Sequence, residues 1–333
     1  MTFTAPPEAD HPAKVMPTLV RAQKVDSSFG LAIVLPIALA ALAASAGPLI
    51  GGYYLYVLTF AGIYAIVAVG NNLLLSHAGL VSLGQGSLLA VGAYAAGFSM
   101  RWGIPWYGTL PIAMAAAGLV GFVIGLPALR LSGHYLALVT LAFALAAEEL
   151  IIVLQEYTGG VSGMPVTSGV AGTLLNYEVI IVVLCGLLVS QHLLLSGRFG
   201  RALHLVRDSE RAAASSGINV AGSKLLAFTY SGVLAGIAGP LFVSATQYLT
   251  PSMFDLWFSV NILVAVVLGG MNRPLGAAAG AVFVAVLIQL SATYQGLASI
   301  IFGTCVLLFL SFTRGSGLRS IKFMALRLRG AAL

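Results

Sequence analysis

An unbroken stretch of 74 residues without Asp, Glu, Lys or Arg, from residue 27 to residue 100, is the strongest constraint on the fold of this 333-residue chain. A helix needs about 20 apolar residues to cross a membrane, so this stretch alone can hold about three spans. The whole chain is 59% hydrophobic and 8% charged, against about 25% charged residues in an ordinary soluble domain. Barrel strands alternate polar and apolar residues, and these runs do not. The sequence therefore predicts an all-α integral membrane protein.

Apolar runs separated by polar or glycine-rich joints predict about ten transmembrane helices. The predicted spans are residues 30–50, 53–75, 84–100, 108–129, 135–154, 178–196, 225–247, 257–271, 276–294 and 297–313. We divide the chain into an N-terminal leader (1–28), a transmembrane domain (29–315) and a basic cytoplasmic tail (316–333). The leader does not place a short basic region directly before a short apolar core, as a secretory signal would. We expect it to be cytoplasmic and partly disordered.

The distribution of basic residues predicts the orientation of the chain. Lys and Arg accumulate in the cytoplasmic loops of membrane proteins. With ten spans and the N-terminus inside, fifteen of the sixteen Lys and Arg residues fall on the cytoplasmic side, and only Arg101 falls outside. Both termini are therefore expected inside, with membrane lipid around the spans. Because the basic residues flank spans, the net charge of +6 does not indicate a nucleic-acid partner.

A charged island at residues 198–224 separates two long apolar runs and contains five of the sixteen basic residues. Within it we predict a short helix near 207–217. Asp208 and Glu210 fall in its first turn, where acidic residues are favourable, and Gly217 is suited to end it. The island indicates a cytoplasmic loop that contacts another molecule. The alternative is an amphipathic helix that rests at the lipid interface.

Small and polar residues interrupt the apolar background in the third span. Ser82, Gln85 and Ser87 would be costly if they faced lipid, so we expect a re-entrant or discontinuous helix that lines a cavity. They are our first candidates for the translocation pathway. Glycines spaced four residues apart, such as Gly232 and Gly236, predict close packing of helices; broken helices along a pathway are the alternative.

Two further groups lie towards the predicted outer side. Gly159, Gly160 and Gly163 suit a tight loop with an unusual backbone conformation. Glu148 and Glu149 lie near the outer end of the fifth span. They either reach the lipid headgroups or form an acidic lining of the outer mouth that attracts an ammonium group, and we include them among the candidate pathway residues.

Five motifs, in this order and around these spans, make the chain resemble a known family. They are GLVSLGQ (79–85), YLALVTLAF (135–143), TGG-x-x-G (158–163), E-x-A-A-x-x-x-G-I-N (210–219) and LGG-x-x-R-P-x-G (268–276). The chain resembles the permease subunits of branched-chain amino acid ABC importers, of the LivM kind, over about residues 30–315. Relatives commonly carry an acidic residue soon after TLAF, whereas here Glu148 and Glu149 come a few residues later.

The resemblance implies partners and a role for the charged island. Such a permease pairs with a second related permease subunit, two ATP-binding cassette subunits and an extracytoplasmic substrate-binding protein, in the bacterial cytoplasmic membrane. The short cytoplasmic helix of the family docks into a cleft of the ATP-binding subunit. The coupling residues that this implies here are Arg207, Asp208, Glu210, Ala212, Ala213 and Gly217. Two small alanines would let the partner surface approach closely.

The resemblance also implies a transport subunit rather than an enzyme, with branched-chain or other apolar amino acids as substrates. Related permeases for urea or short amides share the architecture and remain an alternative. The chain has no GxxxxGK[ST] loop for ATP and no cluster with metal-ligand spacing, so we expect neither a cofactor nor a metal. A self-sufficient secondary transporter would need ion-coupling residues at mid-membrane, and these spans are nearly free of charge.

Overall fold

The computed structural model describes residues 28–47, 51–129, 134–166, 172–270, 273–292, 300, 303–304 and 306–307. The α-helices are α1 (Ser28–Ala46), α2 (Gly52–Asn72), α3 (Gln85–Arg101), α4 (Trp106–Ala128), α5 (His134–Val153), α6 (Gln155–Thr158), α7 (Thr173–Ser196), α8 (Arg198–Asp208), α9 (Glu210–Ser215), α10 (Val220–Thr246), α11 (Leu256–Gly269) and α12 (Pro274–Ala292). A π-helical turn, Leu73–Ala78, continues α2, and 3-10 turns cover Gly160–Ser162 and Pro251–Phe254. Two short strands, β1 (Met164–Pro165) and β2 (Tyr248–Leu249), pair antiparallel.

Six helical stretches of the described residues are long and apolar enough to cross a membrane. They are Gly52–Ala78, Trp106–Pro127, Tyr135–Val153, Thr173–Ser196, Val220–Thr246 and Pro251–Gly269. Helices α1, α3 and α12 are shorter or less apolar and lie at three more of the predicted spans. The tenth predicted span, 297–313, falls almost wholly outside the described residues, as do nearly all of the leader and the whole tail. An all-α, multi-pass membrane protein is confirmed, whereas ten spans and the orientation of the termini stay predictions.

Two helices begin earlier than hydropathy predicts. Helix α7 begins at Thr173 rather than 178, directly after Gly172, whose φ of 95° does not fit a helix. Helix α10 begins at Val220 rather than 225, because the side chain of Asn219 accepts a hydrogen bond from the N–H of Gly222 (2.9 Å). The first turns of both helices contain polar residues, so a prediction based on apolar runs places the helix starts too late. As a result, the last part of the predicted charged island belongs to α10.

The centre of the bundle is formed by α2 and α10. In their most apolar stretches 83% and 78% of the residues are buried, against 17% for α7. Helix α10 packs against α4, α3 and α2, while α12 packs against α2 and α11. A movement of α10 would therefore displace most of the helices in the described bundle.

Glycines at four-residue spacing allow these close contacts, as predicted. A Cβ atom on Gly232 would lie 2.5 Å from the carbonyl oxygen of Ala117, and one on Gly236 would lie 2.6 Å from that of Ala113. Both distances are too short for a real side chain, so α10 and α4 touch backbone to backbone. Packing of this kind is typical of small residues at helix contacts in membranes.

Candidate functional site

The charged island forms two surface helices rather than the single helix predicted at 207–217. We call residues 198–217 the surface segment. Helix α8 ends at Asp208 and α9 begins at Glu210. Between them, Ser209 has an extended backbone conformation that interrupts the helix. The break occurs because the Ser209 hydroxyl caps α9 by accepting the N–H of Ala212 (3.3 Å), a preferred role for serine. The predicted short helix is present as α9, with Glu210 in its first turn, but its predicted start was wrong, because Asp208 closes α8 instead of opening a helix.

The predicted end of the surface segment is confirmed. Gly217 follows α9 with φ of 78°, a left-handed conformation that glycine adopts without strain. The N–H of Gly217 donates to the carbonyl of Ala214 (3.0 Å), and the N–H of Ile218 donates to that of Ala213 (3.0 Å). A Cβ atom on Gly217 would meet nothing within 4 Å, so this position faces open space.

An ion pair fastens α9 to the central helix α10. The Lys224 ammonium lies 2.7 Å from Glu210 Oε1, and the two side chains are 3% and 47% exposed. A buried ammonium is costly unless a counter-charge and hydrogen bonds compensate it. Among the residues that the structure describes, Lys224 is the one buried Lys, Arg, Asp or Glu. Glu210, which the resemblance assigns to docking, is therefore also the counter-charge of a buried lysine in α10.

A second attachment joins α8 to the end of α2. The Arg207 guanidinium donates a hydrogen bond to the carbonyl of Ser76 in the π-helical turn. Carbonyls at the end of a helix lack partners within it, so a side-chain donor is favourable there. Gly79 follows with φ of 69°, and a Cβ atom there would lie 3.0 Å from Arg207 Cγ. The rings of His77 and His204 also meet, with centroids 5.0 Å apart.

The remaining surface of α9 defines what a partner could touch. Asp208, Arg211 and Ala212 are exposed, as is Gly217. Ala213 is 0% exposed within this chain alone, so its methyl group packs inwards. The two alanines predicted to form one docking surface thus point in different directions, and only Ala212 is accessible to a partner.

The polar residues of the third span lie buried at the start of α3 and connect it to other helices. The Gln85 amide donates to Ser231 Oγ of α10 (2.8 Å). The Ser87 hydroxyl donates to the carbonyl of Ala144 in α5 (3.5 Å), and Ser82 Oγ accepts the N–H of Gly84 (3.4 Å). Residues 79–84 join the π-helical turn to α3 and are not helical, whereas α3 itself is unbroken from Gln85 to Arg101; a re-entrant or discontinuous helix that lines a cavity stays a prediction. These contacts place the polar start of α3 between α5 and α10.

Buried amide side chains in α2 and at the start of α3 lack hydrogen-bond partners. Both polar atoms of the Asn71 side chain and Oε1 of Gln85 are buried and have no hydrogen-bond partner. Gly70 of α2 contacts Ser231, since a Cβ atom there would lie 3.4 Å from Ser231 Oγ, and Ser231 is the partner of Gln85. Buried polar groups without partners are rare and call for an explanation. The sequence assigned no site to Asn71, although two successive asparagines in an apolar helix could have signalled one.

The candidate acidic residues of α5 are at the opposite end of the bundle from the surface segment. Glu148 is half-buried and Glu149 is exposed, one to two turns before α5 ends at Val153. Neither carboxylate forms an ion pair with another residue in the described part of the chain. The structure does not bring them into contact with Gln85 and its neighbours at the start of α3.

The glycine loop beside α5 has the unusual backbone conformation that was predicted. Gly159, Gly160 and Gly163 have φ of 77°, 55° and 77°. A Cβ atom on Gly159 would lie 2.1 Å from the carbonyl oxygen of Gly163. The loop leads into β1, which pairs with β2 just after the end of α10. The Thr158 hydroxyl donates to the carbonyl of Ile151 (2.6 Å) and accepts the N–H of Gly160 (3.1 Å).

Known proteins with similar sequences identify the family. A family described as the permease component of branched-chain amino acid transport systems matches residues 53–310. The high-affinity branched-chain amino acid transport system permease protein LivM of Escherichia coli K12 is 31% identical over 82% of this chain and 72% of that protein. LivM of Salmonella typhimurium is 31% identical over 76% of this chain and 67% of its own length.

A more distant relative is the probable branched-chain amino acid transport permease protein LivH of Methanocaldococcus jannaschii. It is 27% identical over 75% of this chain and 82% of its own length. The matched region includes the central helices α2 and α10 and the surface segment. This chain belongs to the family of branched-chain amino acid transport system permease components, and it is a membrane transport subunit of a binding-protein-dependent importer rather than an enzyme.

Proposed function

We propose that this subunit carries branched-chain or other apolar amino acids across a bacterial cytoplasmic membrane. The names of the LivM and LivH relatives support this substrate class. We further propose that it works with a second related permease subunit, two ATP-binding cassette subunits and an extracytoplasmic binding protein. In this arrangement the surface segment faces the cytoplasm, as its basic residues favour, and the glycine loop and β1–β2 face outwards.

The observation that carries the proposal is the attachment of the surface segment to the two most buried helices. A force applied to α9 reaches α10 through the ion pair of Glu210 with Lys224 (2.7 Å). A force on α8 reaches the end of α2 through Arg207 and the Ser76 carbonyl. Since α10 packs against α2, α3 and α4, closure of the ATP-binding subunits would move the centre of the bundle. Alternating access is the mechanism that such a linkage serves.

The polar start of α3 is the proposed inner part of the pathway. Gln85 and Ser87 lie where α3 meets α10 and α5, directly after Ser82. A helix shift that separates α10 from α3 would break the bond between Gln85 and Ser231. It would then offer these amide and hydroxyl groups to a passing solute. Polar groups of this kind at helix discontinuities are a common way to build a transport site.

A secondary transporter is less well supported by the same geometry. Ion coupling requires charged or titratable residues near mid-membrane. Among the described residues, the buried charge belongs to Lys224, which lies at the start of α10 and is already paired. A permease for urea or short amides would use the same coupling attachments, and substrate measurements on the assembled importer distinguish it.

The function is tested in proteoliposomes that contain the permease pair, the ATP-binding subunits and the binding protein. Leucine uptake should require ATP and the binding protein. Gly217→Leu adds a side chain to the open surface beside α9 and should abolish uptake while the protein still inserts. The matched control is Gly103→Leu, because Gly103 has a similar φ of 82° and also has open space around it. Equal uptake by both variants would remove the surface segment from the docking role.

The orientation is tested separately in intact cells. With Cys185 and Cys305 replaced by alanine, a cysteine at exposed position Ser209 should react with an impermeant thiol reagent only after the cells are opened. Labelling from outside intact cells would place the surface segment on the wrong side for contact with ATP-binding subunits.

A further inference from the structure

Helix α11 begins inside the bundle rather than at the end with the glycine loop. The preceding strand β2 lies beside the last turns of α3, because a Cβ atom on Gly97 would lie 3.2 Å from Leu249 Cδ1. The chain then reaches the start of α3, where a Cβ atom on Gly86 would lie 3.2 and 3.3 Å from the carbonyl oxygens of Phe254 and Asp255. Gly86 and Gly97 are eleven residues apart in α3, or about 16 Å. Asp255 therefore opens α11 well inside the bundle.

Helix α5 runs beside α3 in a fixed register. Thr140 Oγ1 accepts the N–H of Leu83 (3.0 Å). One turn later the Ser87 hydroxyl donates to the carbonyl of Ala144 (3.5 Å). Both hydrogen bonds join residues that are 57 positions apart in the sequence. The two helices therefore run in the same direction, and each turn of α5 lies beside the corresponding turn of α3.

The same register places the Glu148 carboxylate inside the bilayer. One turn beyond Ala144, Glu148 lies beside Val91, which is ten residues before α3 ends at Arg101, or about 15 Å. This is about half of the 30 Å thickness of a hydrocarbon core. Glu148 is nevertheless only half-buried, and Glu149 is exposed. Carboxylates are costly where they face lipid at such a depth, so this side of α5 is not suited to contact lipid.

The start of α11 brings another carboxylate to the same side. Asp255 is half-buried, and its Oδ1 accepts the N–H of Phe258 (2.9 Å). The 3-10 turn before it packs against α5, and the Asp255 and Glu148 carboxylates are close enough to repel each other. Neither forms an ion pair with another residue in the described part of the chain. Two such carboxylates can stay ionised together only where water screens their charges.

We propose that this acidic face, formed by Leu145, Glu148 and Glu149 of α5 and Asp255 of α11, is a wall of the water-filled transport pathway. It continues the polar start of α3, since Ser259 Oγ, one turn beyond Asp255, accepts the N–H of Gly86 (2.9 Å). The wall attracts an ammonium group and repels an anion, while Leu145, 49% exposed, offers contact to an apolar side chain. The inference rests on the proposed import function in assigning the wall to the pathway.

Thiol labelling of the assembled importer in nanodiscs tests the wall, because added reagents reach both sides of the membrane there. Cys185 and Cys305 are replaced by alanine, and Leu145→Cys places a thiol one turn before Glu149. Charged methanethiosulfonate reagents react with thiolates, which form in water and not in an apolar environment. We expect Leu145→Cys to be labelled without ATP, after trapping with ATP and vanadate, or in both states.

The matched control is Leu119→Cys in α4, at a 65% exposed position. Its depth is similar, because the neighbouring Gly118 packs against Val233 of α10, two residues beyond the partner of Gln85. No Asp, Glu, Lys or Arg occurs in α4, so nothing there requires water. Leu119→Cys should stay unlabelled in both states.

The charge of the reagent tests the role of the carboxylates. After correction for reaction with a free thiol, a cationic reagent should label Leu145→Cys about tenfold faster than an anionic one, because a cleft with negative walls concentrates cations. Glu148→Gln together with Asp255→Asn should reduce this preference to within about twofold. Both changes keep the size of the side chain, and Asn caps a helix as well as Asp does. Thermal unfolding should therefore stay the same.

Three results would overturn the proposal: no labelling of Leu145→Cys in either state, equal labelling of Leu119→Cys, or an unchanged preference for the cationic reagent after the two carboxylates are replaced. These outcomes are distinct from failure of the proposed function. An importer that takes up leucine while position 145 stays unlabelled contradicts the wall alone. An importer that takes up no amino acid contradicts the proposed substrate class, whatever the labelling shows.

Discussion

The two ends of the helix bundle are held together by different kinds of contact. At the end with the glycine loop, the contacts are mainly backbone hydrogen bonds: β1 pairs with β2, and the Thr158 hydroxyl joins two backbone groups. At the end with the surface segment, long charged side chains make the contacts, through Glu210 with Lys224 and through Arg207 with the Ser76 carbonyl.

The difference indicates which end is built to move. Glycines with positive φ and paired strands fix one backbone path, because few other conformations satisfy the same hydrogen bonds. Lys, Glu and Arg side chains have many rotamers, so an ion pair can persist while the helices that carry it shift. We therefore expect the glycine loop to be the rigid end of the permease and the surface segment to be the adjustable one.

The largest effect is expected from Gly159→Ala in the rigid end. The new Cβ would lie 2.1 Å from the Gly163 carbonyl oxygen at a φ of 77°, so the loop cannot keep its path. We expect a loss of at least about 3 kcal/mol, since steric overlap adds to left-handed strain. Gly103→Ala has the same strain without the overlap and should lose only about 1 kcal/mol. Thermal unfolding in detergent measures both, and equal losses would contradict the rigid-loop account.

Thr158→Val should have a smaller effect on the same end. The change removes the donor to Ile151 and leaves the N–H of Gly160 without its acceptor, which costs about 1–2 kcal/mol in a buried place. Thr229→Val is the control, because the Thr229 hydroxyl bonds only to the carbonyl four residues earlier in its own helix. Its stability should change by less than about 0.5 kcal/mol. If both variants unfold at the same temperature, the Thr158 hydroxyl does not hold the loop.

In the adjustable end, Arg207→Ala should change activity more than stability. Arg207 is exposed apart from its bond to the Ser76 carbonyl, so unfolding should shift by less than about 1 kcal/mol. Leucine uptake should fall about fivefold, because one hydrogen bond of the attachment is lost. Arg198→Ala, in an exposed position of the same helix, should keep uptake. A large loss of stability with normal uptake per folded protein would reverse the assignment of the two ends.

The smallest effect is expected from the double change Glu148→Gln and Glu149→Gln. If these carboxylates attract the ammonium group of a substrate, uptake should fall about twofold at low salt and recover relative to the parent at high salt, because exposed charges are screened. Glu156→Gln, on the neighbouring α6, is the control and should have no effect. Normal uptake by the double variant at low salt would indicate that Glu148 and Glu149 only anchor the helix at the lipid interface.

Features that depend on local sequence were predicted well. The apolar runs predict the central helices, and the glycines predict the left-handed backbone conformations found at Gly159, Gly163 and Gly217. The four-residue spacing of Gly232 and Gly236 gave the close contact with α4. Each of these features depends on a few residues that are close together in the sequence, so the sequence alone is enough to predict it.

Features that depend on tertiary contacts could not be predicted in the same way. No local pattern tells that Glu210 pairs with Lys224 or that Ala213 packs inwards while Ala212 stays exposed. The run of charges at 198–224 predicts one loop, yet Lys224 belongs to the central helix α10. Nor does a local pattern tell that the Asn71 amide is buried without a hydrogen-bond partner.

We infer that Glu210 transmits motion from the surface segment to the bundle through Lys224, and exchanging the two charges tests this inference. Glu210→Lys and Lys224→Glu should each lower leucine uptake per ATP hydrolysed about tenfold, because each puts like charges at the contact between α9 and α10. The double variant restores an opposite pair and should recover to within about twofold of the parent. If the double variant is as poor as Glu210→Lys alone, Glu210 acts on a partner subunit instead, and the ion pair with Lys224 does not couple the surface segment to the bundle.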